Sequence, residues 1–590
     1  MRITKIFAIS SILLAAAMST GCNSIFRETP FDKLAEEQIW GDEKLLDEYT
    51  GSWYRNMDNG FYILVSTMFK NLGSEFDPWF GDQITVGRSD WYQAGYGELL
   101  KGSHSQITSR SRLVWQGAYE QIRSVNKLIE HEAELPRSIH DRILGEAYFF
   151  RAWYHYKLLR RYGGVLLVDR TFDPLTEEVK FPRASFEQTV EFIVADAKRA
   201  AALLPAEHET RDVGRITKGA AWTLAGKTYF WAAGDKFQNA DKEFLGFTGN
   251  KASDMRKLAA ACYDEMLKLN IYDLIPANAG DRDRTVEAYR NIFLTKNSQE
   301  SILEVQHSDD GNFSQGFGHK LDRDAAPPSM TGVNCAYNPT QNHVDEYRMA
   351  NGLPIDDPNS GYDEDFPYDN RDVRFYANVL YDGAMWKGHK MELHYTMIDG
   401  VRTPGADIMA YGTSSTASYT RTGYYMAKFL RETQQIDADE TYGSSQNYII
   451  WRLAEILLDY AEIDWLENRP EEARKKVNRI RSRVGMPEFA SITFDDINNE
   501  RRVELAFEKT TYWDLLRNGT AETAMCGDTN PLYRVTIVDD EDGNRTYSKG
   551  IVNGASTNVR YFASYHYFWP IAWSDIRYHG IEQNPEWIEM

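Results

Sequence analysis

Cysteine is scarce in this chain of 590 residues. Its four cysteines, Cys22, Cys262, Cys335 and Cys526, are scattered, and no two are close in sequence. This spacing provides neither a disulfide framework nor the paired ligands of a zinc site. Positive charge is also in short supply, since 66 lysines and arginines face 87 aspartates and glutamates, for a formal net charge of −21. Nucleic acid and anionic lipid are therefore poor partners for this surface.

Long apolar runs are missing as well, apart from one near the N-terminus. Residues 6–17 form it, and a run of about twelve residues is typical of a signal peptide and too short to span a bilayer. Arg2 and Lys5 precede the run, and small residues lead from it into Cys22. The pattern predicts a signal peptide over residues 1–21 and resembles a lipoprotein cleavage box, in which Cys22 becomes the acylated first residue. An ordinary secretory signal, with Cys22 left as a free thiol, is the alternative.

The sequence also lacks the signatures of common hydrolases. It contains neither a His-Glu-x-x-His pair nor a Gly-x-Ser-x-Gly elbow. The GKT at residues 226–228 resembles the end of a phosphate loop, but Ala221 replaces the first glycine and the segment is predicted to be helical. The two catalytic carboxylates of a glycosidase are defined by their distance in space and not by a spacing in sequence. The sequence therefore leaves a glycosidase site possible. The acidic clusters at residues 356–357 and 363–365 could hold a structural calcium ion, although solvated turns fit better.

Apolar residues recur at helical spacing on both sides of a central irregular stretch. The predicted helices cover residues 42–57, 61–72, 112–134, 139–162, 186–204, 218–233, 253–269, 447–466, 471–484 and 494–517. Short connections between them favour antiparallel neighbours. The helix around Trp451 and the next one, starting at Pro470, resemble a tetratricopeptide pair. The predicted fold is all-α, with tetratricopeptide-like helix pairs over residues 31–307 and 446–518.

Residues 308–445 interrupt the helical pattern with glycine, proline, asparagine, aspartate and scattered aromatics. Such a length without regular structure is uncommon unless it is functional or held by its own small sheet. We interpret it as a loop-rich binding insert with a small β component. In the C-terminal segment, residues 519–590, an Asp-Gly pair predicts a β-hairpin within an otherwise irregular stretch. We expect residues 22–590 to form one domain.

The segment ERRVELAFEKTTYWDLLR, residues 500–517, combines an apolar stripe with dense charge. Its apolar residues share one face of the predicted helix, and Trp115 and Trp153 have the same spacing in theirs, so all are predicted to be core. Glu500, Glu504 and Glu508 follow one another at four-residue steps, which is repulsive unless cations lie beside them. A structural ion-pair network, with partners from Arg501, Arg502 or another helix, fits this row better than catalysis does.

Several segments together resemble the SusD/RagB family of outer-membrane lipoproteins, in the same order over most of the chain. They are the Cys22 start, LVWQGAYEQIRSVNKLIE (113–130), GEAYFFRAWYHYKLLRRYGGV (145–165), NRDVRFYANVLYDGAMW (370–386), TGYYMAKF (422–429), WRLAEILLDYAE (451–462), residues 500–517, WPI (569–571) and QNPEW (583–587). Each motif is weak alone, and their shared order carries the resemblance. Trp386 lies in a motif that recurs whatever the ligand, which favours a role in the fold.

The resemblance implies a tetratricopeptide-like scaffold whose loops bind a nutrient, most often a glycan, at the cell surface. It also implies that the lipoprotein caps a SusC-type TonB-dependent outer-membrane transporter, anchored in outer-membrane lipid through Cys22. Family members are non-enzymatic, and we expect no cofactor in this chain beyond the structural calcium ion considered above. Because some members bind peptides, a peptide ligand is the main alternative, and a secreted glycoside hydrolase is a remote one.

Residue chemistry indicates where a sugar would bind. A pyranose ring lays its C–H face on an aromatic plane, while its rim hydroxyls need polar partners. The loop over residues 73–104 and the insert carry both kinds of side chain. The candidate ligand contacts are Trp79, Trp91, Arg88, Tyr92 and Asp82 in the loop and Tyr337 and Asn338 in the insert. The alternative for Trp79 and Trp91 is that they pack the loop against the helices, and for the insert residues it is a structural role.

Overall fold

The computed structural model describes residues 38–58, 60–61, 81–85, 111–173, 177, 182–308, 318–330, 335–409, 419–433, 443–552 and 560–587. Helices dominate these residues. In chain order they are α1 Glu43–Arg55, α2 Ser111–Glu130, α3 His140–Tyr162, α4 Phe186–Leu203, α5 Lys218–Ala232, α6 Ala252–Leu267, α7 Arg282–Leu294, α8 Leu321–Ala325, α9 Gln341–Val344, α10 Val373–Asn378, α11 Leu453–Leu466, α12 Pro470–Ser482, α13 Phe494–Glu504, α14 Thr511–Arg517, α15 Ala521–Ala524 and α16 Trp573–His579.

Successive long helices pack against one another as pairs. Contacts join α2 to α3, α3 to α4, α4 to α5, α5 to α6 and α11 to α12. Close approach depends on small residues at the contacts: a Cβ at Gly226 would lie 2.4 Å from Cε1 of Tyr263, and one at Gly145 would lie 2.8 Å from Cγ of Leu204. Trp115, Trp153, Phe149 and Phe150 are buried in the core as expected. The predicted all-α scaffold is confirmed.

Short strands are confined mainly to the insert and the C-terminal segment. They are β1 Ile84–Thr85, β2 Ser301–Val305, β3 Asn338–Pro339, β4 Val379–Leu380, β5 Met385–Trp386, β6 His389–Lys390, β7 Tyr395–Ile398, β8 Val401–Pro404, β9 Tyr425–Met426, β10 Tyr448–Arg452, β11 Tyr533–Asp539 and β12 Arg545–Ile551. The insert strands β7 and β8 extend the predicted hairpin β11–β12 into a four-stranded sheet of order β12-β11-β7-β8. Trp386 is buried within the insert. The expected small β component is present.

Two predicted helices differ from the structure. The helix expected over residues 447–466 starts as strand β10, which pairs antiparallel with β2 and places Trp451 against Trp153, with ring centroids 5.2 Å apart. Residues 448–452 are buried on both faces of the strand, and only Ile450 is partly exposed. The helix expected over residues 494–517 breaks between α13 and α14, where Phe507 and Lys509 adopt positive φ angles. The break takes Glu508 out of line with the other glutamates.

The glutamate row forms the buried ion-pair network that its spacing predicts. Its nitrogen–oxygen distances are 2.5 Å for Arg374–Glu500, 3.0 Å for Arg481–Glu500, 3.0 Å for Arg374–Glu504, 2.8 Å for Arg452–Glu504, 2.6 Å for Arg452–Glu508 and 2.7 Å for Lys428–Glu508, and Arg483 also contacts Glu504. The cations come from the insert, strand β10 and the region of α12. Arg501 and Arg502 pair with other acids instead.

Glu504 occupies the centre of this network. Burial alone would raise the pKa of its carboxyl, but the guanidinium groups of Arg483, Arg452 and Arg374 outweigh burial and hold that pKa well below its usual range. The carboxylate is therefore charged in the folded protein. It links the insert to the helical scaffold, because its partners lie on both.

Among the helices of the described residues, none has the length and apolarity needed to cross a bilayer.

Buried neutral histidines make the fold sensitive to acid. Burial lowers the pKa of His155, His307 and His566 to about 4, and Nε2 of each lacks a hydrogen-bond partner among the described residues. Their ordinary pKa in an unfolded chain is about 6.5. The unfolded state therefore binds more protons between these values, so stability present above pH 6.5 is lost as the pH falls towards 4.

We expect the melting temperature to stay level from pH 8 to 7 and to fall steadily below pH 6.5. Calorimetric scans at half-unit pH intervals measure this. His566→Asn should flatten the slope by removing one titrating group, whereas His579→Asn, at an exposed position, should leave it unchanged. A melting temperature that stays constant down to pH 4.5 would contradict the assignment.

Candidate functional site

A short antiparallel pairing joins the predicted binding loop to the insert. Strand β1 pairs with β3, with Ile84 opposite Pro339 and Thr85 opposite Asn338. The amide of Thr340 also donates to the carbonyl oxygen of Gln83 over 2.9 Å. The two regions chosen separately from the sequence as ligand-binding therefore meet. We call residues 81–85 and 335–343 the loop base.

Asp82 anchors the loop base to helix α13. Its carboxylate accepts a hydrogen bond from Nη2 of Arg502 over 2.6 Å and another from Asn530 over 3.2 Å. Burial would raise the pKa of Asp82, but the adjacent Arg502 lowers it below its ordinary value. Arg502 also pairs with Glu346 over 2.5 Å. Asp82 is thus a charged group that fixes residues 81–85 of the loop base.

Gln83 extends the anchor into the interior. Its amide nitrogen donates to the carbonyl oxygen of Arg502 over 2.9 Å and lies 3.2 Å from Nδ1 of His343, while its amide oxygen accepts from Thr511 over 2.8 Å. His343 is buried and lies 2.6 Å from a carboxylate oxygen of Glu346. This side-chain network holds the loop base in one geometry. A rigid base lowers the conformational entropy lost when side chains of the loop bind a ligand.

Tyr337 and Asn338 lie inside the loop base. Tyr337 is 2% exposed, and its hydroxyl donates to the carbonyl oxygen of Phe61 over 3.0 Å. The side-chain amide of Asn338 donates to the carbonyl oxygen of Cys335 and accepts from the backbone amide of Arg421, both over 3.0 Å. These two side chains are buried and hydrogen-bonded within the fold.

The remaining candidates lie outside the described residues. These are Trp79, Arg88, Trp91 and Tyr92, together with the lipidation site Cys22. The structure fixes residues 81–85 between them: Trp79 lies two positions before this segment and Arg88 three positions after it. Their roles stay predictions.

A cleft of about 940 Å³ lies between helix α7 and the insert, away from any residue chosen from the sequence. Tyr376 and Tyr381 line it from the insert, and Asp283, Glu287 and Asn291 line it from α7 at four-residue steps along one helical face. Polar side chains thus face aromatic ones across the cleft. The cleft was missed because helix α7 was not predicted, although Asp281 caps its first turn and apolar residues follow at helical spacing.

Groups suited to metal binding were sought among the described residues. No cluster there contains three or more histidine, cysteine, aspartate or glutamate side chains placed to hold a metal ion. In the acidic segments at 356–357 and 363–365, Asp357 and Asp363 accept hydrogen bonds from backbone amides two residues further along. These carboxylates close turns. The GKT segment lies within helix α5, where Lys227 pairs with Glu455 and Asp459.

Comparison with known proteins places the chain in a family. The model of the SusD family matches residues 299–587, and a second model, described as "Starch-binding associating with outer membrane", matches residues 41–230. Together they cover the whole insert and much of the helical scaffold, leaving residues 231–298 unmatched between them. The protein belongs to the SusD family.

Individual relatives are distant in sequence and close in fold. A SusD-like protein from Bacteroides ovatus is 24% identical over 460 residues, which span 75% of this chain and 72% of the relative. The crystal structure of a SusD-like protein from Bacteroides fragilis is similar with a TM-score of 0.71 at 23% identity, covering 95% of this chain and 100% of the other. Surface glycan-binding protein A from Bacteroides thetaiotaomicron, solved with laminarihexaose, matches with a TM-score of 0.61 at 16% identity, covering 92% and 99% of the two chains.

Proposed function

We propose that this protein is a cell-surface lipoprotein that binds oligosaccharides or polysaccharides and delivers them to a SusC-type TonB-dependent transporter. The observation that carries the proposal is the loop base, which joins an aromatic-rich loop to the insert on a SusD-family scaffold. A relative with the same fold is a surface glycan-binding protein solved with laminarihexaose. That relative supports a glycan as the ligand class and leaves the particular sugar open.

The proposed capture uses flat side chains beside polar ones. Trp79 and Trp91 supply planes for the C–H faces of sugar rings, and burial of apolar area contributes about 25 cal/mol per Å². Arg88 and Tyr92 offer hydrogen bonds to ring hydroxyls. Asp82 acts through the loop base: its pairing with Arg502 fixes the segment 81–85, which lies between the two tryptophans in sequence. A rigid base lowers the entropy lost when the ligand binds.

The proposed location follows from the N-terminal segment and the family. Acylation of Cys22 after removal of residues 1–21 would place the protein on outer-membrane lipid, and multiple acyl chains make such anchoring stable. The family description "associating with outer membrane" agrees with this position. Exposure to the cell exterior and docking on the transporter are parts of the same proposal.

The proposed role is binding without catalysis and without a cofactor. A glycoside hydrolase would need two carboxyl groups facing a sugar across about 5 to 9.5 Å. The carboxylates of Asp82 in the loop base and of Glu346 beside it both pair with Arg502. Charge-paired acids of this kind suit positioning of the loop and not proton transfer to a leaving group.

A peptide ligand is the alternative within the same family, and a glycan array run beside a peptide library separates the two. We expect saturable binding to at least one glycan class, and no binding to peptides at the same protein concentration. The Asp82→Ala variant should weaken glycan binding because it releases the loop from Arg502. Binding to peptides on a blank glycan array would replace the proposal with its alternative.

A further inference from the structure

A second cavity, of about 90 Å³, lies among the scaffold helices, apart from the loop base. Helices α3, α5 and α14 and strand β10 contribute to its walls. Its volume exceeds the roughly 10–15 Å³ that one water molecule needs. Arg160, Trp231, Trp513 and Arg517 are among the lining residues. The cavity can therefore hold a small solute as well as water.

Arg160 enters this cavity without a counter-charge. Its guanidinium carbon lies 4.0 Å from the ring centroid of Trp513 and 4.5 Å from that of Tyr156. The two rings hold the guanidinium by cation–π contact but supply no negative charge. Within the described part of the chain, no carboxylate lies within ion-pair distance of Arg160. A half-buried cation in this position favours an anionic partner.

The acids that line the cavity are already paired with other cations. The pairs are Asp514–Arg501 at 2.7 Å, Glu508–Arg452 at 2.6 Å, Glu455–Lys227 and Asp58–Lys509 at 3.9 Å. None of these carboxylates is left over for Arg160. Lys227, Arg501 and Arg517 also contact Asp459 or Glu462 behind the wall, so Arg160 is the one cation among the described lining residues with no carboxylate at ion-pair distance.

The cavity wall also contains N–H donors that have no hydrogen-bond acceptor in the described part of the structure. Nε of Arg160, Nε1 of Trp231 and Nε of Arg517 are buried and have no hydrogen-bond partner among the described residues. Trp231 and Arg517 are each 4% exposed. All three atoms are donors, and no buried side-chain oxygen of the described lining residues lacks a partner. A wall with spare donors and no spare acceptors is complementary to an acceptor.

We propose that this cavity is a binding site for a small carboxylate, either a free organic acid or the carboxylate of an acidic sugar. A carboxylate supplies both missing elements, a negative charge for Arg160 and several oxygen acceptors for the neighbouring N–H groups. The planar guanidinium is the side chain best matched to it. No residue of the loop base lines this cavity, so carboxylate binding here does not depend on glycan binding at the loop base.

Calorimetric titration of the purified protein with sodium acetate, and separately with sodium glucuronate, tests the proposal. We expect saturable binding of acetate above a sodium chloride background of equal ionic strength. Tighter binding of glucuronate would assign the site to acidic sugars, and binding of acetate alone would assign it to free small acids. A crystal structure with acetate should show it within hydrogen-bond distance of Arg160 and Trp231. Water alone in the cavity, with no heat above the chloride control, would overturn the proposal.

Two variants separate the site from general salt effects. Arg160→Met keeps the aliphatic stem and removes the charge, and Trp231→Phe removes one N–H donor. Each should weaken acetate affinity about tenfold or more, the expected loss for a charge-assisted hydrogen bond. Arg199→Met is the matched control, because Arg199 also lies over an aromatic ring but is 59% exposed. Equal acetate affinity in Arg160→Met, Trp231→Phe and the control would also overturn the proposal.

Discussion

Glu504→Gln should be the most destabilising conservative substitution in this protein, lowering the free energy of unfolding by about 3–5 kcal/mol. The glutamine keeps the shape and removes the charge that Arg374, Arg452 and Arg483 share. Those guanidinium groups are nearly fully buried, so water cannot replace the lost carboxylate. Urea denaturation followed by tryptophan fluorescence measures the change.

Two further variants identify the cause of that loss. Glu472→Gln is the matched control, since Glu472 pairs with Lys475 on an exposed helix surface, where such pairs contribute about 0–1 kcal/mol. The double variant Glu504→Gln with Arg452→Met should lose less stability than the sum of the two single losses, because the Arg452–Glu504 contact is already absent in either single variant. A Glu504→Gln protein as stable as Glu472→Gln would show that the network does not hold the insert to the scaffold.

Replacing Trp79 and Trp91 together by alanine should abolish measurable glycan binding. Loss of an aromatic platform costs about 1–3 kcal/mol per ring where nucleobases stack on it, and on that scale two platforms account for a loss of affinity of about thirtyfold or more. The melting temperature should stay almost unchanged. Affinity electrophoresis in polysaccharide gels, paired with thermal melts, measures both effects.

Trp573→Ala is the matched control for the tryptophan pair. Its indole is 39% exposed on helix α16, and its removal should change neither binding nor stability. A large drop in the melting temperature of the double variant would mean that Trp79 and Trp91 are packing residues. Full binding by a stable double variant would move the site elsewhere, and the cleft beside Tyr381 would be the first place to look.

The sequence predicted the scaffold well because helical spacing is a local signal. Ser185 and Gln188 form a capping box at the start of α4, and Pro470 opens α12, so both helices begin where the pattern placed them. The residues around Trp451 misled the prediction, since a five-residue strand followed at once by a helix reads as one continuous apolar segment. The ion-pair network was predictable in kind from the glutamate spacing. Its partners were not, because Arg374 lies 126 residues from Glu500 in sequence.

The candidate site was predicted in outline. Residue chemistry selected the loop and the insert separately, and the pairing of β1 with β3 shows that they meet. No sequence signal could supply that pairing, since Thr85 and Asn338 belong to two-residue strands far apart in the chain. The burial of Tyr337 could not be predicted from the sequence either, because a tyrosine in a segment without periodicity gives no signal of whether its ring faces solvent or the core.

The proposed function requires that the protein hold a glycan without cutting it. Incubating the purified protein with a polysaccharide that it binds, and then assaying both bound sugar and new reducing ends, separates binding from cleavage. We predict saturable binding and a count of reducing ends that stays at the level of a protein-free sample over many hours. Reducing ends that increase with time and with protein concentration would contradict it.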